Sequence, residues 1–206
     1  MTPLDLHEGD PVLERLAALA PADTPDLTDR LFDGWLRTTS LLGPVWVACS
    51  SDGVSFLRAT AELTEDDFRA AHRRRVGRPL RRSDDVPDGL EAALRGDAAA
   101  TPRLDLRALT AFQRDVLAAT RTIPAGETRS YGWVAAEVGR PRAVRAAGTV
   151  LATNPVPLLI PCHRVVPGGN GLGIGRYIFG VPAKQRLLAA EGAAVATPRP
   201  EEGSAR

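Results

Sequence analysis

Ile160-Pro161-Cys162-His163-Arg164-Val165-Val166, IPCHRVV, sets one of the chain's two cysteines beside one of its three histidines. A thiolate is a nucleophile, and an imidazole nearby can lower its pKa or take its proton. Side chains of adjacent residues on an extended chain point to opposite faces, so Cys162 and His163 need a turn or a bridging water to cooperate. A third group should then orient the imidazole. Glu191 is a candidate, as the only acidic residue between Glu137 and Glu201. It sits in the last turn of a predicted helix, where the dipole disfavours an anion. An exposed glutamate near a helix end is equally ordinary, so the sequence alone does not choose it. Cys49, inside an alternating run, reads as a small buried hydrophobe. The five Cys and His residues are scattered, with no C-x-x-C or H-x-x-x-H, which argues against a metal site.

Working outward, NPVPLLIPC carries three prolines in seven residues, which predicts an extended path. Before it, Thr110 and Gln113 form a capping box ahead of FQRDVLAATR. Ser130 caps YGWVAAEV, which stops at Gly139, and Pro141 opens PRAVRAAGTVLAT. Two helices joined by a tight glycine-containing turn have the pattern of a helix-turn-helix, though a core helical hairpin has it too. After the motif, GGNGLGIG is a glycine-rich loop, PAKQRLLAAEG a helix ended by Gly192, and residues 193–206 a disordered tail.

The first half reads differently. Pro11–Ala20 and Leu27–Leu36 are short amphipathic stretches, taken as helices of an extension covering residues 1–39. VWVACSSDGVSFLRA is a hairpin centred on Asp52-Gly53. Thr64 opens a helix running through His72, RRRVGRPLRRSDDVPDG is a solvated, mobile connection, and Asp88–Arg95 is a short helix. Residues 1–100 hold 12 Arg against 18 acidic residues, a net of −6, whereas 101–192 hold 12 basic against 5 acidic, a net of +7. The basic half implies an anionic partner, and arginine's planar fork suits phosphate. With two cysteines, no run of membrane-span length and no basic-then-apolar leader, the expectation is a cytoplasmic protein.

The ordered set FQ…IPAGETRSY…VAAEVGRPRAVRAAG…NPVPLLIPCHRVV…EG, from about Phe112 to Gly192, resembles the O6-alkylguanine-DNA alkyltransferases, also called methylated-DNA–protein-cysteine methyltransferases. The resemblance implies an α+β protein. Residues 40–103 would form a small RNase H-like sheet-and-helix domain, and 104–192 a helical, winged-helix-like domain with the helix-turn-helix. It implies a monomer that binds double-stranded DNA, flips O6-alkylguanine and moves the alkyl group to its own cysteine without a cofactor. Cys162 would be the acceptor and His163 a base acting through water. Glu191 would be the orienting group, Tyr131 a proton donor to the guanine, and Asn154 a tie between the helix-turn-helix and the active-site loop. Arg145 would enter the base stack, with Ser130, Gln113, Arg142, Ala143 and Gly148 also on DNA. Leu151, Pro157, Val165, Tyr177 and Ile178 would line the base pocket.

The chain departs from the family pattern at Tyr177-Ile178-Phe179-Gly180, where two or three small residues usually follow the tyrosine. Its glycine-rich loop is about two residues longer. Ala118, where many members carry Trp, reads as altered core packing. Three other readings remain open at this level: a lesion-binding sensor that does not repair, a transcription regulator using the helix-turn-helix alone, and a cysteine hydrolase.

Overall fold

In the computed structural model, which describes residues 31–168 and 173–193, the chain begins with a meander. Strands β1 (Asp33–Ser40), β2 (Gly43–Ser50) and β3 (Gly53–Ala59) pair antiparallel. The expected hairpin is present, with Ser50 opposite Gly53. Helix α1 (Glu65–Val76) then crosses over to β4 (Leu80–Arg82), which pairs parallel to β1 and gives the order β3-β2-β1-β4. Thr64 caps α1 by accepting from the Asp67 N–H. The helix has acidic residues in its first turn and arginines in its last, matching its dipole, and Gly77 ends it at φ 82°.

Two expectations fail here. Leu27–Leu36 is not a helix through Leu36, because Asp33 onward is strand, and a domain boundary at 39/40 falls inside β1. Trp35 and Leu36 are both buried, one on each face of the sheet, and adjacent apolar residues of this kind fit a helical reading as well as a strand covered on both sides. The connection after His72 is not all loop. Arg73–Val76 complete α1, and Leu80, buried among arginines, anchors an edge strand. The readings of Pro11–Ala20, of 27–30, of residues 169–172 within GGNGLGIG and of the tail beyond Ala193 lie outside the described residues.

The sheet has apolar residues on both faces. Trp35, Ala48, Phe56 and Leu80 pack with Phe68 of α1. Beneath α1, His72 Nε2 lies 3.3 Å from Ser55 Oγ and 3.4 Å from Asp33 Oδ2, joining β1, β3 and α1. The opposite face, with Leu36, Val45, Val47, Val54 and Leu57, shares one core with the second half. That core includes Leu90 and Leu94 of α2 (Leu90–Leu94) and Val116 and Leu117 of α3 (Ala111–Arg121). Both halves therefore depend on the same buried surface.

The rest of the chain is short elements: β5 (Arg129–Ser130), α4 (Tyr131–Glu137), α5 (Val144–Ala152), a 3-10 turn (Cys162–Arg164), β6 (Val165–Val166) and α6 (Gly180–Ala190). The capping box before α3 forms as expected, and Ser130 accepts from the Trp133 N–H at the start of α4. Helix α5 starts at Val144 rather than Pro141, because the Ala143 N–H turns back to the Arg140 carbonyl first. Ala118 is exposed, so its packing reading is corrected: it lies on the outer side of α3. Among the described residues no helix is long and apolar enough to cross a membrane.

The edge of β3 is covered by the chain entering the second half. The Val54 N–H donates to the Arg103 carbonyl at 2.9 Å and the Asp105 N–H to Val54 at 2.9 Å. Gly53 makes this approach possible: its φ is 132°, and a Cβ there would sit 2.3 Å from the Arg103 oxygen. Gly53→Ala is therefore expected to destabilise the fold by about 2 kcal/mol or more, from backbone strain plus the displaced strand edge. A urea midpoint unchanged from wild type would contradict this.

Candidate active site

The segment before the motif is not simply extended. Prolines exclude helix, but the chain turns at Pro157–Ile160, where the Ile160 N–H reaches the Val156 carbonyl at 3.0 Å. Leu158 sits at φ 74°, a conformation that costs a non-glycine residue energy and marks a shape held by its surroundings. Cys162–Arg164 then winds into one 3-10 turn. Pairing of β6 with β5 brings this turn back beside the start of α4, and hence towards Tyr131.

Within the turn, Cys162 and His163 face different partners. The Asn154 Nδ2 donates to Cys162 Sγ at 3.1 Å and to the Ile160 carbonyl at 3.1 Å, while Asn154 Oδ1 accepts from the Val156 N–H at 3.0 Å. His163 Nε2 lies 2.9 Å from Glu191 Oε1. Because a carboxylate only accepts, Nε2 carries the proton and the neutral ring presents its lone pair at Nδ1. Nδ1 is buried and has no hydrogen-bond partner among the protein's described residues. Glu191 caps the end of α6, against the helix dipole. Arg164 offsets this by donating from Nε to Oε2 at 2.9 Å and from a terminal nitrogen to Oε1 at 2.8 Å. The other terminal nitrogen of Arg164 donates to the Ile123 carbonyl.

Burial and charge act against each other here. Burial pushes the Cys162 thiol above its ordinary range, and the Asn154 hydrogen bond, the Lys184 charge and the Arg58 charge draw it back. Burial lowers the His163 imidazole, against Glu191, which raises it. Burial would raise Glu191, but the hydrogen bonds from His163 and Arg164 outweigh it and hold the carboxyl at about 2. Lys184, fully buried, donates to the Val165 carbonyl at 2.6 Å, and burial takes its ammonium down to about 8. Tyr131 is raised by burial and by the Cys162 charge.

A family profile described as "6-O-methylguanine DNA methyltransferase, DNA binding domain" matches residues 111–193. A methylated-DNA–protein-cysteine methyltransferase of Shigella flexneri is 38% identical over 161 residues, covering 73% of this chain and 91% of that protein. This chain belongs to the methylated-DNA–protein-cysteine methyltransferase family. A relative of the same name from Mycolicibacterium paratuberculosis is 50% identical over 88 residues, covering 43% of this chain and 52% of that protein. A crystal structure of Mycobacterium tuberculosis OGT in complex with DNA superposes with a TM-score of 0.63 at 31% identity, covering 80% of this chain and 95% of that one.

The residues expected at the site thus fall close together: Asn154 with Cys162 and Glu191 with His163 form two hydrogen-bonded pairs joined at Cys162-His163, all buried but the half-buried Glu191. Tyr131 stands at the head of α4, its ring beside Gly148, whose added Cβ would lie 3.8 Å from Cδ1. Leu151, Pro157 and Val165 are buried, and Tyr177 and Ile178 half-buried. The Tyr177 ring stands edge-on to His163 at 5.9 Å. Arg142, in the turn before α5, and Arg145, in its first turn, are exposed, and Ala143 between them is half-buried. Gln113 and Ser130 already serve as helix-capping groups. The sequence reading gave no role to Arg164, Lys184 or Arg58. Lys184 is the chain's only lysine, set in an apolar helix, a signal that was available. Arg58 has no local mark, since the active-site carbonyls it reaches lie almost a hundred residues away.

Since Glu191 titrates near 2 when folded against an ordinary 4.5, its contacts stabilise the protein above pH 4.5 and are lost as pH falls toward 2. Glu191→Gln is expected to be less stable than wild type at pH 7, with the gap closing toward pH 3. Melting temperatures of the two proteins across that range test it, and parallel curves would count against the charge-assisted network.

Proposed function

We propose that this protein repairs O6-alkylguanine in duplex DNA by moving the alkyl group to Cys162, once per molecule and with no cofactor. The observation that carries the reading is the buried cluster itself, a thiol held by Asn154 beside a histidine held by Glu191, in a chain of this family. The His163 Nδ1 lone pair takes the Cys162 proton through a water, and Glu191 holds the imidazolium that results. The thiolate attacks the alkyl carbon, an S–C bond forms, and the O6–C bond breaks. Charge develops on the leaving guanine, and Tyr131 donates a proton to its ring. Displacement at an unactivated carbon needs a soft, strong nucleophile, which a thiolate supplies and a hydroxyl does not.

In this reading α4 and α5 are the helix-turn-helix of a winged-helix-like domain, with α5 in the minor groove. Arg145, exposed and without a carboxylate at positions 141 or 149, fills the space left by the flipped base. The order β3-β2-β1-β4, with β4 parallel to β1, supports an RNase H-like N-terminal domain, which then starts at Asp33. We read the two domains as meeting near residue 103 and the protein as a cytoplasmic, DNA-associated monomer.

Mixing the protein with a duplex carrying one O6-methylguanine should add one methyl group at Cys162, saturating at one per protein by intact mass. Cys162→Ser should take none while still binding the duplex. Unmodified wild-type protein bound to the lesion would replace repair by sensing. Arg145→Ala should slow repair in duplex DNA about 10-fold or more, since extruding a base costs a few kcal/mol, and leave reaction with a free O6-alkylguanine base nearly unchanged. Equal losses on both substrates would remove Arg145 from the flipping step.

A further inference from the structure

The N-terminal sheet places one charged side chain against the active-site segment. Arg58, near the end of β3, donates to the carbonyls of Asn154 at 3.3 Å and Pro155 at 3.1 Å, as well as to that of Leu57. Its guanidinium lies 4.1 Å from the centroid of the Phe56 ring. The Asn154 backbone is then held from outside its own loop, while its side chain holds Cys162 Sγ, Ile160 and Val156. Every polar group of Asn154 is committed, since its N–H also reaches the Leu151 carbonyl.

Docking alone does not account for an arginine here. The Leu57 N–H already donates to the Pro155 carbonyl at 2.8 Å, and the apolar face of β3 lies in the shared core. A neutral donor would satisfy the same carbonyls. Placing a cation there is costly: burial first, and Arg75 next, pull Arg58 down to about 10, with Glu62 and Cys162 acting the other way. That charge acts favourably on Glu62 and, reached through Asn154, on the thiol of Cys162, where it adds to the larger effects of the Asn154 hydrogen bond and Lys184. We propose that Arg58 is a positioning residue for the alkyl transfer, fixing the Asn154–Pro155 backbone so that the Asn154 amide meets the sulfur, and favouring the thiolate by its charge. This rests on the reading of Cys162 as the nucleophile. The N-terminal domain thereby takes part in the chemistry through a single side chain.

The test uses the full chain with Arg58→Gln, which keeps a donor and loses the charge, and Arg58→Lys, which keeps the charge and loses the fork. The first readout is the pH midpoint of Cys162 alkylation by iodoacetamide, with peptide mapping to separate it from Cys49. The second is the rate of methyl transfer from an O6-methylguanine duplex. Arg58→Gln should raise the midpoint and slow transfer at pH 7 several-fold, the loss shrinking at high pH where the thiol ionises in both proteins. Arg58→Lys should recover most of the midpoint. An unchanged midpoint in folded Arg58→Gln overturns the proposal even if transfer slows, because a merely structural role predicts that pattern. If Arg58→Gln does not fold, a raised midpoint in Arg58→Lys, which keeps the charge, overturns it instead. Wild-type protein that accepts no methyl group would sink the proposed function, while the iodoacetamide midpoint would still decide the role of Arg58.

Discussion

The amide of Asn154 is the constraint on which the active site depends. It joins the end of α5 to the turn at Pro157–Ile160 and to the sulfur of Cys162, with all three of its side-chain hydrogen bonds made inside the protein. A buried amide with a full set of partners tolerates little displacement, because any shift leaves a donor or acceptor unpaired. The exposed Arg145 of α5 and the thiol of Cys162 are therefore parts of one rigid unit. In the proposed reaction the helix that meets DNA and the thiol that receives the alkyl group must keep a fixed separation, and this residue sets it.

Electrostatic balance follows from the same burial. A thiol, an imidazole, a carboxylate and an ammonium lie close together with little water, so each is shifted by desolvation and then corrected by a neighbour. Glu191 stays ionised because His163 and Arg164 both donate to it, despite its place at the end of α6. The cations Lys184 and Arg58 lie on the other side of the problem, near the sulfur. The two cations offset part of the cost that burial sets on charge at the sulfur, and burial keeps the imidazole neutral and able to accept a proton.

The N-terminal sheet is more than a separate lobe. Its inner face completes the core that contains Val116, Leu117, Ile160 and Cys162, its β3 edge receives the chain at Arg103–Asp105, and Arg58 grips the carbonyls beside Asn154. A substitution in β3 thus reaches the reaction by a short physical route, through two carbonyl oxygens and one amide.

Local signals in the sequence were enough for much of this. Asp52-Gly53 determined a hairpin, Thr110 with Gln113 and Thr64 with Asp67 determined two helix starts, and the ordered motif around PCHRV determined the family. Each is a short-range pattern with its own mechanism, a turn conformation or a capped N–H. Segments without such signals went astray. Leu27–Leu36 reads as amphipathic helix, yet from Asp33 it is strand, because β2 supplies hydrogen bonds that the sequence window does not contain. NPVPLLIPC has prolines that exclude helix but do not say where the chain turns. That Cys162 and His163 turn to different partners, that Glu191 shares its carboxylate with Arg164, and that Arg58 meets Asn154 were decided only by tertiary structure. Those contacts join residues 8 to 96 positions apart, and only the packed core brings such positions within a hydrogen bond of each other.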